Sequence, residues 1–161
     1  FRYDKIKHFI KHEIFFCQDN ISHSKKGVIR GLHYQVGKFS QSKLISVIQG
    51  EILDVVVDIR KGSPTFGKHG SFNLNCKNRK QLFMPRGYAH GYITLSEKST
   101  VCYKVDNYYR KDCERSIAFD DSRLKIDWIL PKSEWILSEK DLNNPNLDEA
   151  LLFDFKSSFY D

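Results

Sequence analysis

The sequence has only four cysteines, Cys17, Cys76, Cys102 and Cys113, and no C-x-x-C pair among them. That leaves a zinc or disulfide framework poorly supported, and reduced thiols in a cytoplasmic protein are the simpler reading. Neither His33 nor His90 begins an H-x-H or H-x-x-x-H cluster, so a bound metal is not expected. There is no G-x-S-x-G elbow and no cysteine beside a histidine, which argues against a serine or cysteine nucleophile. A Gly-rich phosphate loop of the dinucleotide or P-loop kind is also missing. No apolar run approaches the length of a membrane span, and no signal peptide is visible.

What is present is enough apolar material for a real core. Of 161 residues, 40% are hydrophobic and 14% aromatic, which excludes a disordered chain and suits one domain over residues 1–161. We find no internal repeat and no linker. The net charge of +6 favours anionic partners, but it is dispersed. Its densest runs, Lys25–Lys26 and Lys77–Lys80, read as turns between strands. A nucleic-acid binder would show a long basic stripe, and an anionic small molecule is served equally well.

Read in order, Tyr3–Lys11 carries Ile6, Phe9 and Ile10 at helical spacing and predicts a short amphipathic helix. Glu13–Asp19 reads as a strand and polar Ile21–Gly27 as a loop. Glu51–Arg60 is the clearest strand. Leu53, Val55, Val57 and Ile59 form one face and Ile52, Asp54, Val56 and Asp58 the other, so the spacing predicts burial on both sides. Further strands are expected at His69–Asn75, Gln81–Pro85, Tyr92–Leu95, Thr100–Tyr109 and Ser116–Phe119. Arg86–Gly91 reads as a turn, and a last helix is expected near Leu147–Phe155. Short strands at even intervals with turn chemistry between them predict an all-β sandwich or small barrel.

The stretch Gly27–Gln49 places Arg30, His33 and Lys43 among apolar neighbours on a run that reads strand, loop, strand. Side chains alternate along a strand, so Lys43 shares a face with Ile45 and Val47. Such a lysine either snorkels to water from the strand end or has a partner or a task; this segment alone favours snorkelling. Tyr103 shares a face with Val101 and Val105 and needs a partner for its hydroxyl. Asp54 lies on a covered face, where it could bond a turn backbone or pair with a lysine. A histidine base, a tyrosine acid and a lysine beside an enolate oxygen suit proton abstraction next to a carbonyl, one chemistry among several.

The order of longer motifs narrows the choice. QDN at Gln18–Asn20, SKKGVIRGLHYQ at Ser24–Gln35 and SKLISVIQGEILDVVVDIRKGSPTFG at Ser42–Gly67 are followed by RKQLFMPRGYAHGYITLSE at Arg79–Glu97 and YKVDNYY at Tyr103–Tyr109. FDDSRLKIDW at Phe119–Trp128 and LSEKD at Leu137–Asp141 complete the series. Together these motifs closely resemble the dTDP-4-dehydrorhamnose 3,5-epimerase family.

The resemblance implies a cupin-like jelly-roll β-barrel with short peripheral helices at both ends, a homodimer, and a reaction that needs no metal and no cofactor. It implies a nucleotide-sugar substrate, most readily dTDP-linked, in the cytoplasm, with no nucleic-acid or membrane partner. By resemblance, His33 is the base, Asp141 the carboxylate that orients it, Tyr103 the acid on the opposite face of the sugar, and Lys43 the lysine at the keto oxygen. Gln18, Asp19, Asn20, Arg30, His90, Glu114 and Lys140 match positions that line the substrate site, and Tyr109 matches an aromatic that stacks on the ligand. Asp54 falls near the same chemistry. Weighed with the motif order, a task for Lys43 outweighs snorkelling.

Family members carry, ahead of the position of Phe1, a segment whose arginine and glutamate reach the partner subunit's nucleotide, so an N-terminal piece is expected to be missing. The Arg110–Cys113 stretch also departs from the proline-containing turn common in the family. Two alternatives remain at this point: a single-centre epimerase or one for another nucleotide sugar, and a non-catalytic barrel that binds nucleotide sugars or nucleic acid.

Overall fold

Strand β4 (Glu51–Asp58) runs through the middle of the larger of two facing sheets, and both of its faces are covered. A computed structural model describes residues 4, 7, 10 and 12–160, and the helix expected over Tyr3–Lys11 lies largely outside the described residues. The larger sheet has the order β10 (Glu114–Ser116), β2 (Ile29–Gln35), β8 (Tyr88–Thr94), β4, β6 (His69–Asn75). The smaller has the order β1 (Gln18–Lys25), β9 (Lys98–Val105), β3 (Lys43–Gln49), β7 (Gln81–Met84). Every ladder in these two sheets is antiparallel. This is a nearly all-β, cupin-like barrel.

Alternation along β4 splits the apolar residues into two cores. Ile52 points into the barrel, where it meets Ile45, Val47, Leu74, Met84, Tyr92 and Val101, with Val56 packed against them. Leu53, Val55 and Val57 point the other way, into a larger cluster closed by Ile117, Phe119, Leu124, Trp128 and Leu147 of the C-terminal segment. That segment is held by more than apolar contact. Trp128 Nε1 donates to the Phe119 carbonyl at 3.0 Å, and the Tyr34 hydroxyl donates to the Leu151 carbonyl at 2.7 Å. Strand β5 (Arg60–Lys61) pairs in parallel with β11 (Phe153–Asp154).

Three expected elements differ. The strand expected over Glu13–Asp19 begins instead at Gln18, and the loop expected over Ile21–Gly27 is mostly β1. Gln18, Asn20 and Ser22 face the polar interior at the barrel mouth and Asp19, Ile21 and His23 are exposed, so neither face carries an apolar signal. His90 and Gly91 sit inside β8 rather than in a turn. The helix expected near Leu147–Phe155 is absent. Leu147 and Ala150 give one turn of helical spacing, but pairing of Phe153–Asp154 with β5 takes the backbone into a strand. A four-residue helix occurs earlier, over Glu139–Leu142.

Trp128 is 1% exposed at the centre of the outer cluster. Trp128→Ala is expected to cost about 3–5 kcal/mol and to lower the melting temperature by about 10 °C, measured by thermal unfolding followed by circular dichroism.

Candidate active site

Whether Arg30 and His33 can share a cavity depends on a register change. Across the β2–β8 ladder Arg30 lies opposite Tyr92 and His33 opposite His90. Tyr92 and His90 are two residues apart whereas Arg30 and His33 are three apart, so β2 carries one extra residue between them. On a regular strand Arg30 and His33 would point to opposite faces. The bulge turns both toward the barrel interior. Gly31 allows it: its φ is +144°, and a Cβ built there would stand 2.5 Å from the Cα of Gly91.

His33 borders both lobes of one cavity, of about 110 and 290 Å³, which also share Lys43, Tyr103 and Glu114. Its Nε2 lies 2.6 Å from Asp141 Oδ1. A carboxylate acceptor there puts the ring proton on Nε2 and leaves the Nδ1 lone pair available. Asp141 is 5% exposed. Its other oxygen, Oδ2, accepts the Ser138 hydroxyl at 2.7 Å, and Ser138 also caps the Glu139–Leu142 helix by accepting the Asp141 amide at 3.2 Å. Burial alone would raise the Asp141 carboxyl, but the hydrogen bonds from His33 and Ser138 outweigh it and hold the group below the usual range.

Tyr103 and Lys43 enter from the opposite sheet. Tyr103 pairs with Ile45, and Lys43 with Val105, so both point inward at neighbouring positions of the β3–β9 ladder. Burial pushes the Tyr103 phenol above its ordinary value, reinforced by Tyr92 and opposed by Arg30, so the phenol keeps its proton at neutral pH. The Lys43 side chain lies inside the cavity as alternation predicts, with the residue 8% exposed, and hydrogen-bonds no other described residue. Loss of hydration brings its ammonium down to about 8, against the pull of the Asp54 and Glu114 carboxylates.

The remaining expected residues divide. Arg30 lines the cavity with its Nε donating to Ser24 Oγ at 3.1 Å. Glu114 Oε2 accepts Lys140 Nζ at 2.6 Å and the Tyr109 hydroxyl at 2.9 Å. Gln18 and Asn20 line the mouth, joined by a 2.8 Å bond, and Tyr109 lies beside them, its amide donating to Gln18 Oε1 at 3.2 Å. His90 lines the deeper lobe, and its Nε2 lies 2.9 Å from Oδ2 of the fully buried Asp54, whose Oδ1 has no partner among the described residues. Asp19 is not brought to the cavity. It sits on the outer face of β1, where Lys104 Nζ donates to its carboxylate at 2.8 Å.

Sequence reading missed Ser138, Ser22 and Tyr92, which also border the deeper lobe. Ser138 had a signal, since a serine three residues before a carboxylate is a helix-capping pattern. Ser22 sits in the segment read as loop, and Tyr92 in a strand whose inward face could not be told from its outward one. Among the described residues no group of three His, Cys, Asp or Glu side chains could hold a metal ion, and no described helix is long and apolar enough to cross a membrane.

A barrel cavity that sets an imidazole–carboxylate pair on one wall and a protonated phenol on the other, with a buried ammonium between, is built for an isomerase that moves protons on a small ring. Residues 1–149 match the family model described as dTDP-4-dehydrorhamnose 3,5-epimerase. A dTDP-4-dehydrorhamnose 3,5-epimerase of Salmonella typhimurium is 48% identical over 146 residues, 89% of this chain and 78% of that protein. The crystal structure of dTDP-6-deoxy-D-glucose-3,5-epimerase from Legionella pneumophila, in complex with dTDP-4-keto-L-rhamnose, is 40% identical and superposes with a TM-score of 0.91 over 98% of this chain and 84% of that one. A 3'-monoepimerase from Streptomyces bikiniensis, in complex with dTDP-quinovose, is 30% identical with a TM-score of 0.83 over 92% of this chain and 74% of that one. The chain belongs to the dTDP-4-dehydrorhamnose 3,5-epimerase family, a family of isomerases.

The lysine is directly testable. Its ammonium is expected to titrate near 8, read by NMR of the protein with isotopically methylated lysines. Asp54→Asn removes a charge that raises this value, so the midpoint is expected to fall further.

Proposed function

We propose that this protein, acting as a single domain, inverts carbons 3 and 5 of a dTDP-linked 4-keto-6-deoxyhexose, with His33 as base and Tyr103 as acid. The observation that carries the reading is the placement of these two side chains on opposed sheets around one cavity. Carbons 3 and 5 both flank the keto group, so their protons are acidified. Nδ1 of His33 takes the proton from the carbon, and the electron pair moves into the carbonyl to give an enolate. Lys43 faces the enolate oxygen as an ammonium. The carbon then takes a proton from the Tyr103 hydroxyl on the other face, which restores the carbonyl and inverts the centre. Asp141 stabilises the resulting imidazolium, and the Arg30 guanidinium favours the resulting phenolate.

Gln18, Asn20 and Tyr109 at the mouth, with Glu114 and Lys140, suit the nucleotide diphosphate end of the substrate. An exposed Lys140 supplies positive charge there, and half-exposed Tyr109 supplies a stacking face. A second copy of the chain completes a homodimer in this reading. Its support is the outer edge of β1, which pairs with no described strand, and the exposed apolar Phe15 and Ile21 close by. Four free thiols and the nucleotide-sugar substrate class support action in the cytoplasm.

Incubation with the 4-keto substrate in deuterated water tests the reading. Deuterium is expected at both carbons, and exchange at carbon 3 alone would favour the second reading, a single inversion as in the Streptomyces relative. His33→Ala is expected to abolish exchange, a loss of about 10²–10⁴-fold or more. Tyr103→Phe is expected to retain exchange better than net inversion. Because Lys43 must be charged to face an enolate, turnover is expected to fall as pH rises through about 8, and Lys43→Met should remove that limb together with most activity.

A further inference from the structure

Two inversions on one bound sugar impose a proton count that the four residues above do not meet. Each inversion leaves a proton on His33 and takes one from Tyr103. After the first, the imidazole is protonated and the phenol is ionised, so neither can act on the second carbon. His33 borders both lobes of the cavity and is a quarter exposed, so its proton has a way out. Tyr103 faces the sugar and, with the cavity filled, has lost its contact with water on that side.

Tyr103 packs against the barrel-interior cluster that contains Tyr92. Tyr92 comes from the opposite sheet and is 4% exposed, and its hydroxyl lies 2.8 Å from Ser22 Oγ. Ser22 is half-buried on β1, the edge strand at the mouth, and stands two residues along from Asn20, which pairs directly with Tyr103. Tyr103, Tyr92 and Ser22 therefore border the same lobe, and the last of them reaches the outer strand. As a purely structural bond, the Ser22–Tyr92 contact would only satisfy a buried hydroxyl.

We propose that Tyr92 and Ser22 form a proton-return path that re-protonates Tyr103 between the two inversions. The step balances within the path: the Tyr103 phenolate takes the Tyr92 hydroxyl proton, Tyr92 takes one from Ser22, and Ser22 is replenished from water at the mouth. The proton left on His33 leaves to solvent, so no net charge accumulates. Tyr92 and Ser22 act through Tyr103 and need not touch the sugar. The proposal rests on the double-inversion reading above.

The readout is the ratio of doubly to singly deuterated sugar formed in deuterated water during the first few turnovers, measured by NMR and mass spectrometry. A general loss of activity or stability would not move this ratio. Tyr92→Phe keeps the ring and is expected to lower the ratio about tenfold, with singly inverted sugar released. Ser22→Ala breaks the same bond from the other end and is expected to lower it in the same direction. A ratio unchanged in both variants would overturn the path, whatever the overall rate. A wild-type protein that exchanges at one carbon or neither would overturn the double-inversion reading itself, and the path with it.

Discussion

The hydrogen bond between His33 and Asp141 spans 108 positions of sequence, and the site depends on it. One partner is set in the wall of the barrel, and the other sits on a segment wrapped around the outside. For the two to meet at 2.6 Å, the larger sheet has to be covered on its outer face by Ile117, Phe119, Trp128 and Leu147. The same packing that hides Leu53, Val55 and Val57 from water thus carries the carboxylate to the histidine. Ser138 adds the last restraint, since one hydroxyl both caps the short helix and bonds the second carboxylate oxygen.

The opposite wall obeys a different rule. Tyr103 and Lys43 need no long-range tether because strand alternation aims them inward beside Val101, Val105, Ile45 and Val47. Their surroundings act on them in contrasting ways. Burial holds the phenol in its neutral, proton-donating form and makes the ammonium easier to discharge. One loss of hydration therefore readies an acid and limits a cation, and the carboxylates of Asp54 and Glu114 decide how far the second effect goes.

Much of this could be read in the chain. The two faces of β4, the inward aim of Lys43 and Tyr103, and the even spacing of strands follow from period-two patterning. What could not be read has common physical causes. β1 shows no apolar face because one side meets a polar cavity and the other meets water. The bulge between Arg30 and His33 breaks the parity that a regular strand would impose, so patterning alone places them on opposite faces. Leu147 and Ala150 do make a helical turn, but a parallel pairing with Arg60–Lys61 claims the backbone two residues later. Asp19 was expected in the site through its motif, while alternation along β1 sends it to Lys104 outside.

The outer wrapping has a consequence for synthesis. Residues through Phe119 contain nearly every strand, but the carboxylate that orients the imidazole is at 141 and the aliphatic plug Leu147 lies beyond it. A nascent chain halted before that point presents a naked sheet face and an unrestrained histidine. Completion of the wrap and acquisition of function are then a single event on the ribosome, and a truncated product would expose a greasy surface instead of working at reduced efficiency.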